Sequence, residues 1–171
     1  MLCVVGMHGC GKNIFLTVAQ ECKYTIVSMG DAVRAETAQR GLPPECHGDV
    51  AEALRKENGL AAVAYLVLDV ITPDCIVDGI RGLEEIKVFK GYYQVEILAI
   101  HASPKIRFNR VKRRKRPGDP QTWKAFKKRD TRELSFGIGE VIALADYMLI
   151  NESTKVQFER ECEAFLKKWR R

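Results

Sequence analysis

Residues 6–13 read GMHGCGKN, a pattern of spaced glycines and a lysine that is typical of a phosphate-binding loop. Gly6, Gly11 and Lys12 match the spacing G-x-x-x-x-G-K, and the loop lies between an apolar stretch and a helical pattern. Glycines allow backbone N–H groups to point at phosphate oxygens, and the next helix adds the positive end of its dipole. We expect Lys12 to contact the β- and γ-phosphates of ATP. The predicted nucleotide-binding loop consists of Gly6, Met7, His8, Gly9, Cys10, Gly11, Lys12 and Asn13.

Asn13 departs from the usual pattern, in which Ser or Thr follows the lysine and its hydroxyl binds Mg²⁺. An amide oxygen can also bind a hard cation, and Mg²⁺ usually keeps several water ligands. We therefore expect ATP and Mg²⁺ to bind, with an altered metal geometry and slow turnover. A protein that binds ATP with little turnover is the alternative.

The elements that must position this loop alternate along the chain. Short apolar, β-branched segments are separated by helical patterns, which predicts an α/β fold with helices on both faces of a five-stranded parallel sheet. The predicted strands are 2–6, 24–29, 75–79, 95–102 and 147–151. A length of 171 residues without a long linker predicts a single domain over residues 1–171.

Helix starts are also readable. Ser103-Pro104 and Asp119-Pro120 each place a capping residue before a proline at the first helical position. Ser153 is the predicted cap of the last helix. No apolar run reaches the roughly 18 residues of a membrane span, and the six cysteines include no C-x-x-C pair. We expect a cytoplasmic protein with reduced thiols and no membrane association.

Positive charge is concentrated between Lys105 and Arg132. This segment has thirteen lysines and arginines but two aspartates, so its net charge is +11 and the rest of the chain carries −5 of the total of +6. Such a field should face a polyanionic ligand.

Taken together, these motifs resemble those of nucleoside-monophosphate-type kinases of the adenylate kinase and dephospho-coenzyme A kinase group. The chain is more closely similar to an archaeal family of adenylate-kinase-like P-loop proteins, over nearly its whole length. The stretches that carry the resemblance are GMHGCGK, SMGDAVR, VDGIR, IHASPKIRFNR, DPQTWKAFKKRDTRE and GIGEVIALADYMLINES. It implies a P-loop NTPase fold of the nucleotide-kinase type, with a lid insertion at about 105–132. The implied activity is transfer of the ATP γ-phosphoryl group to a small phosphorylated acceptor, in the first place a nucleoside monophosphate.

The resemblance assigns the acceptor to SMGDAVR and VDGIR. Arg34 would bind the acceptor phosphate with Asp31 nearby, Gly79 would leave space for the acceptor, and Arg81 could bind phosphate with two hydrogen bonds. Asp31 as a helix N-cap and Arg34 as a solvated helix residue are the alternatives.

Asp78 ends a predicted central strand, at the sheet edge where open α/β sheets bind ligands. A carboxylate is costly to bury without a partner, and the resemblance implies that Mg²⁺ or its waters supply one. Asn13 and Asp78 are thus the predicted metal ligands. The alternative for Asp78 is a cap of the next helix.

The basic segment matches the lid of those kinases. Arg110 and Arg114 stand one helical turn apart and should share a face. The resemblance makes Arg110 and Arg129 catalytic together with Lys12 and Asp78, while Arg114 would bind ATP and Arg132 the acceptor. A solvated face is the alternative for each arginine, and repulsion among the cations predicts an open arm.

Asn151 follows the last predicted strand, in a loop that the resemblance places beside the nucleotide base. It could bind an adenine edge, although a turn-forming Asn fits as well. A second functional hypothesis is a nucleic-acid-associated ATPase or assembly factor, in which the basic segment neutralises RNA. RNA is the less favoured partner, because the segment has only three aromatic residues and no recognisable RNA-binding motif.

Overall fold

The computed structural model describes residues 1–116 and 118–169 of the chain. Its centre is a five-stranded sheet in which every strand pair is parallel, with the strands in the order β2-β3-β1-β4-β5. The strands are β1 Leu2–Val5, β2 Ile26–Ser28, β3 Ile76–Asp78, β4 Glu96–His101 and β5 Tyr147–Ile150. Each predicted segment contains one strand, and the predicted parallel sheet is confirmed.

Helices connect the strands and cover both faces of the sheet. They are α1 Lys12–Glu21, α2 Met29–Gln39, α3 His47–Asn58, α4 Ala62–Tyr65, α5 Leu83–Lys90, α6 Pro104–Arg114, α7 Trp123–Ser135, α8 Ile138–Ala143 and α9 Lys155–Trp169. No helix in the described part of the chain is both long and apolar enough to cross a membrane.

The core has two halves because successive side chains of a strand point to opposite faces. Leu2 and Val4 belong to the cluster that includes Phe15 of α1 and residues of α9, whereas Cys3 and Val5 belong to the cluster on the other face. All four residues of β1 are fully buried. The result is the predicted three-layer α/β/α arrangement.

The register of the sheet brings the functional loops to one edge. Asp78 pairs with Ser28 of β2 on one side and with Val4 of β1 on the other. Since the strands are parallel, the segments that follow β1, β2 and β3 all leave the sheet at this carboxyl edge. The phosphate-loop motif therefore begins beside Asp78.

Two predicted caps, Asp119 and Ser153, are wrong, and so is the alternative role of Asp31 as a cap. Ser28, not Asp31, caps α2, since its Oγ accepts from the Asp31 backbone N–H at 3.1 Å. Thr122 caps α7 and the helix begins at Trp123, because the Asp119 carboxylate is bound elsewhere. Thr154 rather than Ser153 accepts from the first turn of α9, at 3.2 Å from Gln157 N.

Candidate active site

The loop between β1 and α1 has the backbone shape of a phosphate cradle. Gly9 and Gly11 have φ angles of +83° and +103°, which side-chain-bearing residues rarely adopt. A Cβ at Gly9 would lie 2.9 Å from the carbonyl oxygen of Arg107, and a Cβ at Gly11 would collide with the Asn151 amide. Both glycines are therefore required by the backbone and by close packing against α6 and the end of β5.

A cleft of about 770 Å³ opens over this loop, and we call it the loop cleft. Its walls are the loop, the arginine-rich end of α6, and residues 151–155 beside β5. The lining residues are Met7, His8, Gly9, Cys10, Gly11, Lys12, Asn13, Ile14, Arg110, Arg113, Arg114, Arg116, Asn151, Ser153, Thr154 and Lys155. The structure thus brings together most of the residues predicted to bind ATP.

Lys12 and Asp78 face each other at the base of the loop. Lys12 Nζ donates to the carbonyl oxygen of Gly6 at 3.1 Å and lies 3.9 Å from Asp78 Oδ1. Asp78 Oδ1 is buried and has no hydrogen-bond partner among the described residues. A buried carboxylate oxygen without a partner is costly, so this position suits a Mg²⁺ ion or one of its waters. Asn13 is exposed in the loop cleft, so both residue types suit the predicted metal, and the Asn13 amide oxygen as a ligand stays a prediction.

Asn151 connects the end of β5 to the phosphate loop and is 1% exposed. Its Nδ2 donates to the carbonyl oxygen of Cys10 at 2.8 Å, and its Oδ1 accepts from Arg110 Nη2 at 3.1 Å. The other terminal nitrogen of Arg110 is buried without a partner in the described residues, and burial lowers the pKa of this arginine. Asn151 therefore orients Arg110, whose other terminal NH2 group is left for a ligand. An adenine contact of Asn151 stays a prediction.

Arg107 is a structural centre that sequence reasoning missed. It is 4% exposed, and its Nη1 and Nη2 donate to the two carboxylate oxygens of Asp130 at 2.9 and 2.6 Å. The same Nη1 donates to the carbonyl oxygen of His8 at 3.0 Å, while Nε donates to Ala102. One guanidinium thus joins α6, α7 and the phosphate loop. One sequence signal could have pointed to this pair: Asp130 is one of only two acids in the basic segment, so an arginine partner for it was to be expected.

The other acid of the segment, Asp119, lies against the phosphate loop. Arg114 donates to it from Nε at 2.7 Å and from Nη2 at 2.9 Å, and His8 Nε2 lies 3.1 Å from its Oδ1. The Arg114 hydrogen bonds lower the pKa of Asp119 to about 2. Burial, followed by the charges of Arg129 and Arg114, lowers the pKa of His8 to about 3. At neutral pH an ionised carboxylate and a neutral imidazole meet here.

These contacts explain a departure from the open arm that charge repulsion predicts. Both carboxylates of the segment are bound by its own arginines, and both arginine–carboxylate pairs also contact His8 of the loop. Local neutralisation of the arginines allows α6 to pack against the loop.

A second, smaller cavity of about 130 Å³ lies between α2, α3, the end of β3 and α7, and we call it the arginine cavity. Its lining consists of Met29, Gly30, Val33, His47, Gly48, Ala51, Glu52, Arg55, Val63, Gly79, Arg81, Arg129, Arg132, Glu133 and Phe136. Three residues predicted for the acceptor, Gly79, Arg81 and Arg132, meet here with Arg129. Arg34 and Asp31 do not line it. They pair with each other on the surface, and this pairing lowers the pKa of Asp31.

Glu133, which the sequence did not single out, lies among the arginines of this cavity. It is 5% exposed, and its carboxylate is 3.0 Å from Arg81 Nη1 and 4.0 Å from Arg129 Nε. Burial lowers the pKa of Arg129, whose Nε has no hydrogen-bond partner in the described residues. Arg132 also lines the cavity, and its four arginines outnumber its two acids, Glu52 and Glu133, so the cavity favours an anionic ligand.

Glu85 holds the turn that carries Arg81. It is 1% exposed, and its carboxylate accepts from the backbone N–H groups of Arg81 and Gly82 at 2.6 and 3.3 Å and from Arg55 at 2.8 Å. The turn after β3 is thereby fixed at its backbone, which leaves the Arg81 side chain directed at the cavity.

Comparison with known proteins gives relatives and solved structures that fit a phosphate loop at the edge of a parallel sheet. A family model described as an AAA domain matches residues 5–127. A UPF0200 protein of the archaeon Hyperthermus butylicus is 44% identical over 172 residues, which cover 97% of this chain and 92% of the relative. The chain belongs to the UPF0200 family. The predicted membership of an archaeal P-loop kinase-like family is confirmed.

The UPF0200 fold is shared with solved kinases. Shikimate kinase from Aquifex aeolicus matches with a TM-score of 0.59 and 14% identity, covering 97% of this chain and 95% of that one. Dephospho-CoA kinase from Campylobacter jejuni matches with a TM-score of 0.54 and 15% identity, covering 98% and 95%. At these identities the likeness concerns the fold, and it confirms the P-loop kinase architecture.

The site residues of this UPF0200 protein thus fall into three groups. Lys12, Asn13, Arg110, Arg114 and Asn151 line the loop cleft. Gly79, Arg81, Arg129 and Arg132 line the arginine cavity. Asp78 lies beside Lys12 at the sheet edge, and Asp31 and Arg34 lie outside both spaces.

Proposed function

We propose that this UPF0200 protein uses ATP and Mg²⁺ to phosphorylate a small phosphorylated acceptor, in the first place a nucleoside monophosphate. One observation carries the proposal: two cavities are each lined by arginines of the same basic segment, one over the phosphate loop and one where β2 and β3 end at the carboxyl edge of the sheet. Phosphoryl transfer requires two anions held in line, with their charge neutralised and water excluded. The small-molecule kinases that share the fold support the same class of reaction.

Each residue has a role that its position supports. Lys12 holds the β- and γ-phosphates, and Asp78 and Asn13 would hold Mg²⁺ and its waters. The metal, when bound, neutralises the phosphate oxygens. Arg110 and Arg129 stabilise the charge on the transferred group while an acceptor oxygen forms its bond to the γ-phosphorus. The bond from that phosphorus to the bridging oxygen breaks, and ADP leaves.

The acceptor binds in the arginine cavity, with its phosphate against Arg81 and Arg132. A volume of about 130 Å³ is below the roughly 300 Å³ at which ligand pockets usually begin. A nucleoside monophosphate therefore requires α2 and α3 to move away from α7, as lids and domains of kinases do when they open and close. Gly30, Gly48 and Gly79 line the moving walls and add no side-chain bulk.

The test measures ADP formation from Mg-ATP alone and with AMP, CMP, UMP, GMP or dephospho-coenzyme A. We expect one acceptor to stimulate ADP release, and Lys12→Ala to abolish the stimulation. Lys128→Ala is the matched control, since this lysine is exposed and lines neither cavity. If no acceptor stimulates ADP release above the rate with ATP alone, the kinase proposal is wrong.

Asn13 favours a second candidate function, an ATP-binding protein with little turnover. Its amide replaces the hydroxyl that usually holds the metal. Calorimetric titration with Mg-ATP and the same assay on Asn13→Ser separate the two. Acceptor-stimulated turnover that rises about tenfold in Asn13→Ser supports a slow kinase, because tenfold corresponds to about 1.4 kcal/mol at the metal. Tight ATP binding without turnover in either form supports the binding protein.

A further inference from the structure

The thirteen cations of the basic segment divide by residue type. Each of its seven arginines lines the loop cleft or the arginine cavity, or binds the phosphate loop. None of its six lysines lines either space. We call these six residues the lysine face: Lys105, Lys112, Lys115, Lys124, Lys127 and Lys128.

The lysine face carries charge that nothing neutralises within the described part of the chain. All six lysines are exposed, and none appears in an ion pair with the acids of residues 1–116 and 118–169. The two aspartates of the segment, Asp119 and Asp130, are bound by Arg114 and Arg107 instead. Five of these cations are on α6 and α7 and Lys115 directly follows α6, so together they produce a local positive field that favours a polyanion.

Three aromatic rings, those of Phe108, Trp123 and Phe126, connect α6 and α7, and we call them the aromatic seam. The Phe108 ring of α6 lies 5.3 Å from that of Trp123 and 5.5 Å from that of Phe126, both on α7. Phe108 is three residues after Lys105 and four before Lys112, so all three share one side of α6. Trp123 stands one turn before Lys127 on α7 in the same way. Lysines therefore border the seam on both helices.

Trp123 is 41% exposed although it takes part in the seam. It stacks on Phe126 at an interplanar angle of 19°, with ring centroids 5.5 Å apart. An exposed tryptophan beside lysines can stack with an unpaired base. Among the large apolar side chains of α6 and α7, only Trp123 and Leu134 are exposed, and a membrane-binding helix needs an apolar stripe instead.

We propose that the lysine face, with Trp123, is a binding surface for single-stranded nucleic acid. Lysine ammonium groups contact the phosphates, and Trp123 stacks with a base. Because these residues line neither cavity, ATP and the nucleic acid bind at the same time. Contact with about five phosphates gives a slope near −3.5 for the logarithm of the association constant against the logarithm of salt concentration.

The experiment follows the fluorescence anisotropy of labelled oligouridine and oligothymidine of about 20 nucleotides, a length that covers a typical single-strand site. The test variant is Lys112→Glu/Lys127→Glu. The control is Lys90→Glu/Lys168→Glu, which changes the net charge equally at exposed lysines of α5 and α9. We expect binding of the test variant to weaken at least about tenfold and that of the control less than about twofold, since local phosphate contacts dominate.

Two further measurements identify the mode of binding. Bound RNA should quench tryptophan fluorescence in the wild type but not in Trp123→Phe, which keeps an aromatic ring in the seam while Trp169 remains. Saturating Mg-ATP should leave the affinity unchanged. Binding to RNA or to DNA with these properties supports the proposal. The oligonucleotide that binds more tightly shows which of the two is the preferred ligand.

Four results would overturn the proposal. They are no binding at about 50 mM salt, equal weakening in the test and control variants, displacement by Mg-ATP, and polyglutamate binding as tight as that of RNA. The third would place the nucleic acid in the loop cleft, and the fourth would indicate an acidic protein as the partner.

Discussion

Six of the seven arginines of the basic segment line one of the two cavities and Arg107 binds the phosphate loop, whereas its six lysines lie on exposed surface outside both cavities. Arg107, Arg110 and Arg129 are buried or half-buried, while every lysine of the segment is exposed. Both residue types carry one positive charge, so charge alone does not separate them. A guanidinium is planar, weakly hydrated and able to donate two parallel hydrogen bonds, whereas an ammonium is strongly hydrated. The difference teaches that the guanidinium groups of this segment can enter the interior or line a cavity, whereas its ammonium groups stay in solvent outside both cavities.

The buried and half-buried carboxylates of this region pair with its arginines and not with its lysines. Asp119, Asp130 and Glu133 all pair with arginines of the segment. The arginine side is thereby partly neutralised and can pack against the phosphate loop. The lysine face has no such carboxylate partners among the described residues, so its charges contact solvent and can bind an external anion.

The largest expected effect is the loss of Arg107. Arg107→Ala leaves the Asp130 carboxylate, whose side chain is 15% exposed, without its partner, and should lower the free energy of unfolding by about 3–5 kcal/mol. Urea denaturation measures the change. Lys105→Ala, two residues away, is the control and should change it by less than about 0.5 kcal/mol. Similar losses in both variants would contradict the division between the two sides.

Arg129→Lys tests whether charge without the guanidinium geometry suffices for transfer. Since Arg129 is half-buried beside Glu133, we expect kcat/KM for the stimulating acceptor to fall about 100-fold, within the range of lost transition-state donors. Initial rates of ADP formation measure it. Lys128→Arg, the reverse change on the exposed side, should leave the rate unchanged. Full activity of Arg129→Lys would remove Arg129 from the catalytic group.

The protonation of His8 depends on burial and on the positive charges of Arg129 and Arg114. Its folded pKa of about 3 lies below the ordinary value of 6.5, because burial and then Arg129 and Arg114 oppose its protonation. The unfolded chain therefore binds a proton that the folded chain does not, and stability is lost as pH falls from about 6.5 toward 3. Between pH 6.5 and 5 the wild type should lose about 2 kcal/mol more than His8→Gln. Parallel urea titrations at the two pH values measure this, and equal losses would argue against a neutral buried His8.

The smallest effect is expected on the exposed side. Lys112→Glu/Lys127→Glu should change the free energy of unfolding by less than about 0.5 kcal/mol, with any change toward higher stability, because repulsion between like charges is reduced. Urea denaturation at low and high salt measures it, and the difference should vanish at high salt. A large loss would show that these lysines contribute to packing.

Much of the fold was predictable because its signals are local. The five apolar segments each gave one strand, and GMHGCGK gave the phosphate loop, since its glycine conformations depend on adjacent residues. Helix caps were less predictable. Several Ser, Thr and Asp residues near each helix start could serve, and side-chain contacts outside the helix, such as that of Arg114 with Asp119, decided which did.

The site was predictable in part. Lys12, Asn13 and Asp78 follow from the loop motif and from the end of a central strand. Arg107, Glu85 and Glu133 could not be singled out, because burial gives each of them its importance. Their partners are also far away in the sequence, since Arg107 is 23 residues from Asp130 and Arg55 is 30 residues from Glu85.

By itself, the sequence determined the parallel sheet, the phosphate loop and the location of the positive charge, because each depends on residues adjacent in the chain. Only the tertiary structure decided which cations serve the site. In KRRKR at 112–116, the three arginines line the loop cleft, whereas Lys112 and Lys115 do not. Helix rotation, burial and the two carboxylates available to the arginines made that division, and none of these is visible in a count of charges.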